Sequence, residues 1–145
     1  MATTTATITL SSSDILSSAV SISETMTLYK GGTTATGLEQ MNYHRAIIPT
    51  GTNFDLIPES DALKDNSNYV YIINKNTDAT HYVTISIGAE VIGSLYAGDW
   101  MFIPWSCNLN AALGSAIEIQ AKEATAHIEY VLFHDGDTLT ESADS

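Results

Sequence analysis

Residues 69–87 decide the fold class of this chain, and they read YVYIINKNTDATHYVTISI. Residues 69–73 are β-branched or aromatic throughout, and residues 81–87 alternate between apolar and polar side chains. Both patterns are typical of β-strands. The intervening residues 74–79 are rich in Asn and Asp, which favour turns. We therefore predict a β-hairpin made of these two strands.

Similar segments recur along the rest of the chain, and Gly, Pro, Asn or Asp residues separate many of them. Alternating or β-branched runs fall at residues 5–10, 20–29, 43–48, 91–95, 100–103, 116–120 and 126–133. Turn signals at intervals of about 8–12 residues are typical of a β-sandwich or barrel. No segment has helical periodicity. We predict an all-β fold with about eight short strands.

A length of 145 residues fits one domain of ordinary size. We assign residues 1–133 to this domain and residues 134–145, with four acids and no base, to an acidic, flexible tail. Residues 1–13 form an N-terminal strand or arm, whose candidate interface residues are Thr5, Thr7, Ile8 and Leu10. This arm either adds to the sheet edge of a neighbouring protein or forms an ordinary edge strand of its own domain.

The composition excludes several classes of protein. The chain has 17 acidic and 5 basic side chains and a formal net charge of −12, which argues against binding to nucleic acid. No apolar run approaches the 18 residues of a membrane-spanning helix, so we expect no membrane partner. The start of the chain lacks a basic segment and an apolar core, so we expect no secretory signal. Cys107 is the single cysteine, which excludes an internal disulfide and a cysteine-built zinc site.

Residues that could support catalysis or metal binding form no recognisable motif. His127 and Glu129 have the spacing of one strand face, and together with another His they could form a cupin-like metal site, but alternate surface positions explain them better. Glu118 and Glu129 could act as paired carboxylates, although an acidic chain always offers such pairs. Cys107 has neutral or apolar neighbours and favours a buried structural thiol. We predict no catalytic residue, no metal site and no cofactor.

Four aromatic residues within ten positions are the strongest candidates for an interface. Strand alternation places Trp100 and Phe102 on one face, where core packing is their commoner role. Trp105 follows Pro104, which we expect to end the strand, so we place Trp105 in a loop where it could contact a partner. Tyr96 lies beside a Gly turn, and we expect it to be exposed. In one alternative, Tyr96, Trp100 and Trp105 form a platform on which a carbohydrate stacks.

The order of strand and turn patterns in residues 69–133 resembles that of small auxiliary virion proteins of tailed bacteriophages. The segments that carry the resemblance are YVYIIN at 69–74, VTISIG at 83–88, GSLYAGD at 93–99, FIPW at 102–105 and IEYVLF at 128–133. The resemblance spans just under half of the chain and rests on turn and strand patterns. It brings no catalytic residue with it.

This resemblance implies an antiparallel β-sandwich of jelly-roll type that oligomerises and coats or joins parts of a phage particle. We accordingly expect a capsid decoration (cement) protein that binds the major capsid protein and stabilises the shell in the virion, after assembly in the host cytoplasm. A homotrimer is expected from the common symmetry of such coats. A tail or fibre component is the alternative within the family, and a carbohydrate-binding module is the alternative outside it.

Overall fold

The computed structural model describes residues 3–14, 17–29, 34, 37–38, 40–57, 67–88, 90–106 and 116–134. These residues form ten β-strands and no helix, which confirms the predicted all-β class. In chain order the strands are β1 (Thr4–Ser12), β2 (Val20–Leu28), β3 (Gln40–Ile48), β4 (Phe54–Ile57), β5 (Ser67–Asn74), β6 (Tyr82–Ile87), β7 (Glu90–Tyr96), β8 (Trp100–Ser106), β9 (Ile117–Ala121) and β10 (Ala126–His134).

Eight of the strands form a sandwich of two antiparallel sheets. Sheet I has the order β3-β10-β5-β8, and sheet II has the order β4-β9-β6-β7. The strands pair in a nested order, because β3 pairs with β10, β4 with β9, β5 with β8 and β6 with β7. These pairs belong alternately to sheet I and to sheet II. The remaining strands, β1 and β2, form a separate two-stranded ribbon.

The predicted hairpin of residues 69–87 is wrong. Its two strands exist as β5 and β6, but β5 lies in sheet I and β6 in sheet II. The loop between them crosses the sandwich, a span of roughly 10 Å that a loop of this length covers easily. Strand periodicity identifies strands but not their partners, so a short polar loop was taken for a hairpin turn.

The core lies between the two sheets and is built from alternate residues of the strands. Every sandwich strand contributes to one continuous apolar cluster: Ile48, Leu56, Ile57, Val70, Ile72, Val83, Ile85, Leu95, Trp105, Ile117, Ile119, Ala121, Ala126, Ile128 and Leu132. Leu56 and Ile57 lie on β4, which the sequence analysis did not identify as a strand. Burial of these side chains is the main stabilising contribution to the fold.

Trp105 lies in this core and not in a loop, so the prediction that it contacts a partner from a loop is wrong. It is only 2% exposed, and β8 continues through Pro104 to Ser106. Proline lacks a backbone N–H, but it is tolerated in an edge strand, and β8 is the edge strand of sheet I. Alternation from Met101 and Ile103, which pack against the core, then directs Trp105 inward.

The predicted arm and tail are placed differently by the structure. β1 pairs along its whole length with β2, so the arm is a two-stranded ribbon and not an edge strand of the sandwich. At the other end, β10 includes His134, which is buried. Residues 135–145 of the predicted tail lie outside the described residues.

The two tryptophans provide a test of the core, because Trp100 is 50% exposed and Trp105 is 2% exposed. We expect Trp105→Ala to lower the free energy of unfolding by about 3–5 kcal/mol, through lost burial and the cavity left behind. Trp100→Ala should lower it by about 1 kcal/mol or less. Urea unfolding followed by circular dichroism measures both. Equal losses would contradict the assignment of Trp105 to the core.

Asn74 provides a second test, because its buried side-chain amide donates to the Leu95 carbonyl at 3.0 Å. In Asn74→Asp an ionised carboxylate would be buried against that carbonyl, which should cost about 3 kcal/mol or more at pH 7. The native state therefore favours the protonated carboxyl and raises its pKa above the unfolded value. Stability lost at pH 7 should thus return as pH falls towards 4, where the protonated group can donate again.

The control is Asn74→Leu, which removes the same hydrogen bonds without a titrating group. Its deficit relative to the natural chain should not change between pH 7 and pH 4 in urea unfolding experiments. A deficit of Asn74→Asp that is equally independent of pH would show that the carboxylate escapes to water.

Candidate functional site

The outer faces of the two sheets differ in chemistry. The outer face of sheet II is mainly polar and consists of Asp55, Tyr82, Thr84, Ser86, Val91, Ser94, Tyr96, Glu118 and Gln120, and Ile92 is also exposed at the irregularity in β7. The outer face of sheet I is mainly apolar and aromatic, and consists of Met41, Tyr43, Arg45, Ile47, Tyr69, Tyr71, Ile73, Trp100, Phe102, Pro104, His127, Glu129, Val131 and Phe133. An apolar outer face of a sheet indicates a surface that another element or molecule covers.

Cross-strand register assembles the aromatic part of this face. The β5–β8 register places Tyr71 opposite Phe102. The ring centroids of Tyr69 and Phe102 are 5.5 Å apart, and those of Phe102 and Phe133 are 6.2 Å apart. Tyr71 and Trp100 follow at 6.0 Å. Such ring pairs stabilise the observed packing beyond the contribution of the area they bury. Together the rings form a continuous aromatic surface across three strands. We call this surface the aromatic floor, and it consists of Tyr69, Tyr71, Trp100, Phe102 and Phe133.

The ribbon has two chemically distinct faces. One consists of hydroxyl residues in four opposed pairs: Thr5 and Thr27, Thr7 and Thr25, Thr9 and Ser23, Ser11 and Ser21. The hydroxyl oxygens of Thr7 and Thr25 are 2.9 Å apart. We call the other side the ribbon apolar face, and it consists of Thr4, Ala6, Ile8, Leu10, Ser12, Val20, Ile22, Glu24, Met26 and Leu28. The alternation of Thr with apolar residues in the sequence therefore places the hydroxyl residues on one face of the ribbon and the apolar residues on the other.

The base of the ribbon lies against the outer face of sheet I. Leu28 is fully buried, and Thr4 and Ala6 are half-buried, whereas Thr5 and Thr7 are exposed. The ribbon apolar face is therefore the side that meets the body of the protein. Between them lies a groove of about 350 Å³, lined by Thr4, Thr5, Ala6, Thr7, Ile8, Leu28, Tyr71, Trp100, Phe102 and Phe133.

Residue Leu38 holds the ribbon base in place through the backbone. The Thr4 hydroxyl donates to the Leu38 carbonyl at 2.9 Å, and the Leu38 amide donates to the Leu28 carbonyl at 2.9 Å. Leu38 is itself buried, yet it is not part of the sandwich core. A second, smaller apolar contact thus holds the ribbon beside sheet I.

The ribbon apolar face is exposed further from the base. Leu10 is 55% exposed, and Ile22, directly opposite it, is also exposed. A two-stranded ribbon alone is only marginally stable in water. Exposed apolar side chains at its end therefore indicate a surface suited to a partner.

The outer side of β3, which we call the β3 strip, consists of Met41, Tyr43, Arg45 and Ile47. All four side chains are exposed. Tyr43 donates a hydrogen bond to the Glu129 carboxylate, and Arg45 lies 3.7 Å from the same carboxylate. The hydrogen bond between Arg45 and Tyr43, with a smaller contribution from Glu129, raises the pKa of Arg45. Glu129, the one acid among the described residues of this face, therefore has the positively charged Arg45 beside it.

The residues selected from the sequence fall into separate groups. Trp100 and Phe102 lie on the outer face of sheet I, so packing in the sandwich core, the commoner role for such residues, does not apply to them. Ile8 and Leu10 lie on the ribbon apolar face, whereas Thr5 and Thr7 lie on its hydroxyl face.

Tyr96 is exposed as expected, but it belongs to sheet II, where it stacks on Tyr82 at 4.8 Å. With Trp105 in the core, the aromatic platform of Tyr96, Trp100 and Trp105 does not form. The sequence analysis missed the β3 strip and the outer residues of β5. For β5 a signal was present, because residues 69–73 are apolar at every position, so one of its faces had to be apolar and outward.

Among the described residues, the ionisable groups do not form the metal site or the carboxylate pair considered above. His127 and Glu129 share a face of β10, but Glu129 is engaged by Tyr43 and Arg45. The described residues contain no group of three His, Cys, Asp or Glu side chains placed to hold a metal ion. Glu118 and Glu129 lie in different sheets, so they do not form a pair of carboxylates on neighbouring strands. Cys107 lies outside the described residues.

No protein-family model matches the chain, and no curated protein matches it. In the described part of the chain, no helix is long and apolar enough to cross a membrane.

Leu28 allows the contact of the ribbon with the body to be tested. Because Leu28 is fully buried, Leu28→Ala should weaken this contact by about 2–5 kcal/mol. We expect faster hydrogen exchange of the β1 and β2 amides in dilute solution and unchanged exchange in β5 and β10. Met26→Ala, on the same face but exposed, should change little. Equal acceleration in all four strands would show that ribbon and sandwich unfold as one unit.

Proposed function

We propose that this chain is a non-enzymatic structural protein of a phage particle, namely a capsid decoration protein that binds a shell of major capsid protein and stabilises it. The observation that supports this most directly is the difference between the two outer faces. An aromatic floor on sheet I, next to a ribbon with an exposed apolar face, provides contact area for assembly. The polar outer face of sheet II suits contact with water.

We also propose that the sandwich is a jelly roll. The nested pairing of β3 with β10, β4 with β9, β5 with β8 and β6 with β7 supports this. Jelly rolls of eight strands occur in viral capsid proteins and in lectins. The fold alone therefore fits a virion protein but does not distinguish it from a carbohydrate-binding module.

The surface of this chain has the properties that binding to a capsid shell requires. Many copies bound to one shell can reinforce it through modest individual contacts, because simultaneous contacts multiply their effect. Such contacts need apolar area rather than a pocket. The net charge of −12 keeps the solvent-facing side soluble and repels packaged nucleic acid. Assembly in the host cytoplasm and residence in the virion follow from this proposal.

The test uses expanded shells of the major capsid protein encoded in the same genome. We expect the chain to sediment with these shells, and Trp100→Ser to raise the dissociation constant at least about tenfold, since a central aromatic contact is worth about 2 kcal/mol. Tyr96→Ser is the matched control, because Tyr96 is 47% exposed and Trp100 is 50% exposed, on opposite sheets. Tyr96→Ser should bind like the natural chain.

Three outcomes would contradict the proposal in different ways. Absence of binding to shells would remove the capsid role, and recovery of the chain with purified tails would identify a tail or fibre component. Loss of binding in Tyr96→Ser alone would place the interface on sheet II. Specific signals on a glycan array, abolished by Trp100→Ser, would favour the carbohydrate-binding module.

A further inference from the structure

This chain has two exposed apolar strips, the outer end of the ribbon apolar face and the β3 strip. We propose that the outer end of the ribbon apolar face of one copy docks on the β3 strip of a second copy. The proposal rests on the proposed function, because it names one partner of the assembly surface, but it is tested without shells. The contact would leave the aromatic floor around Trp100 to the shell.

A related contact exists within one copy, between the ribbon and the aromatic residues of β5, β8 and β10. The base of the ribbon apolar face, through Thr4, Ala6 and Leu28, lies against the outer face of sheet I. The outer end of the same face continues the same alternation through Leu10 and Ile22. An apolar ribbon face that packs on sheet I at its base is chemically suited to pack on sheet I of a second copy at its end.

The charges on the two strips are complementary. The ribbon apolar face carries one charged residue, Glu24, and the β3 strip carries one, Arg45. The Arg45 side chain is 76% exposed although it pairs with Glu129, and a guanidinium has five N–H donors. Arg45 can therefore donate a further hydrogen bond to Glu24 of a second copy. An acidic chain with a net charge of −12 would meet its copy at one of its few cationic side chains.

Each strip presents an apolar area of the size that marks an interaction site. The exposed large apolar side chains are Ile8, Leu10, Ile22 and Met26 on the ribbon and Met41, Tyr43 and Ile47 on the β3 strip. From their exposed fractions, each strip presents on the order of 300 Å² of apolar surface, the size of the largest apolar patch of a typical monomer. This is less than the roughly 800 Å² that a standard interface buries on each partner, so we expect a weak association.

The geometry makes the association head-to-tail. Each copy offers a ribbon at one place and a β3 strip at another, so the two surfaces in contact are different. Such contacts close into a ring when the rotation between copies allows it. This distinguishes the proposal from a symmetric contact of ribbon with ribbon.

The first measurement is the molar mass by light scattering over a range of protein concentrations. It is made at 0.15 M salt, where charges are screened beyond about 8 Å. We expect an oligomer that dissociates on dilution. Leu10→Asp, in the ribbon, and Ile47→Asp, in the β3 strip, should each weaken association at least about a hundredfold, because each buries an unpaired charge in the interface. Unchanged urea unfolding of the sandwich confirms that both variants fold.

The matched control is Val91→Asp on sheet II, because Val91 and Ile47 are both 65% exposed. Its molar mass should equal that of the natural chain. Mixing provides the decisive step. Leu10→Asp retains an intact β3 strip and Ile47→Asp retains an intact ribbon, so a mixture of the two should form 1:1 dimers although neither variant associates alone.

The outcomes that would overturn this proposal leave the capsid role testable by itself. A natural chain that stays monomeric at all concentrations contradicts the docking, while its binding to shells could still be measured. Ile47→Asp that associates alone would show a ribbon-to-ribbon contact instead. Equal loss in Val91→Asp would show association through charge or sheet II. Absence of dimers in the mixture would also contradict a head-to-tail contact.

Discussion

The hydrogen bonds of Asn74, a fully buried polar residue at the end of β5, constrain how the two sheets are connected. Its backbone amide donates to the Asp99 carbonyl at 3.0 Å, and its carbonyl accepts from the Gly98 amide at 2.8 Å. Its side chain donates to the Leu95 carbonyl and accepts from the Asn76 amide at 2.9 Å. One residue thus joins the end of β5, the crossing loop and the turn before β8. A shift of one residue between β5 and β8 would turn the aromatic floor inward.

The sequence predicted most strands but not their arrangement. Periodicity is a local property, and it identified β5 and β6 because their side chains alternate or are apolar throughout. Their assignment to different sheets depends on contacts between residues distant in the chain, which no local pattern contains. Pro104 shows the same limit. It ends a central strand but is tolerated in an edge strand, and the position of β8 at the edge is a property of the whole fold.

Only part of the candidate surface could be predicted from the sequence, because periodicity is a local property. Alternation placed Trp100 and Phe102 on one face correctly, but it could not decide which face pointed to the core. The decision follows from β8 pairing with β5, which places Tyr71 beside Phe102 and Trp100. The alternation of the first strand indicated two faces, and the ribbon has them. Its pairing with β2 was not visible, because Ser and Thr are common on both strands and in turns.

The described acidic residues are arranged differently on the two outer faces. On sheet II, Asp55 lies directly opposite Glu118, and like charges in this position are destabilising unless water screens them. On the described part of sheet I's outer face the only acid is Glu129, which accepts a hydrogen bond from Tyr43 and lies 3.7 Å from Arg45. A chain with few cations thus places one of them beside that acid, whereas Asp55 and Glu118 on sheet II lie opposite each other. A paired and hydrogen-bonded carboxylate costs less to remove from water than two opposed ones, so the outer face of sheet I is better suited to be covered than that of sheet II.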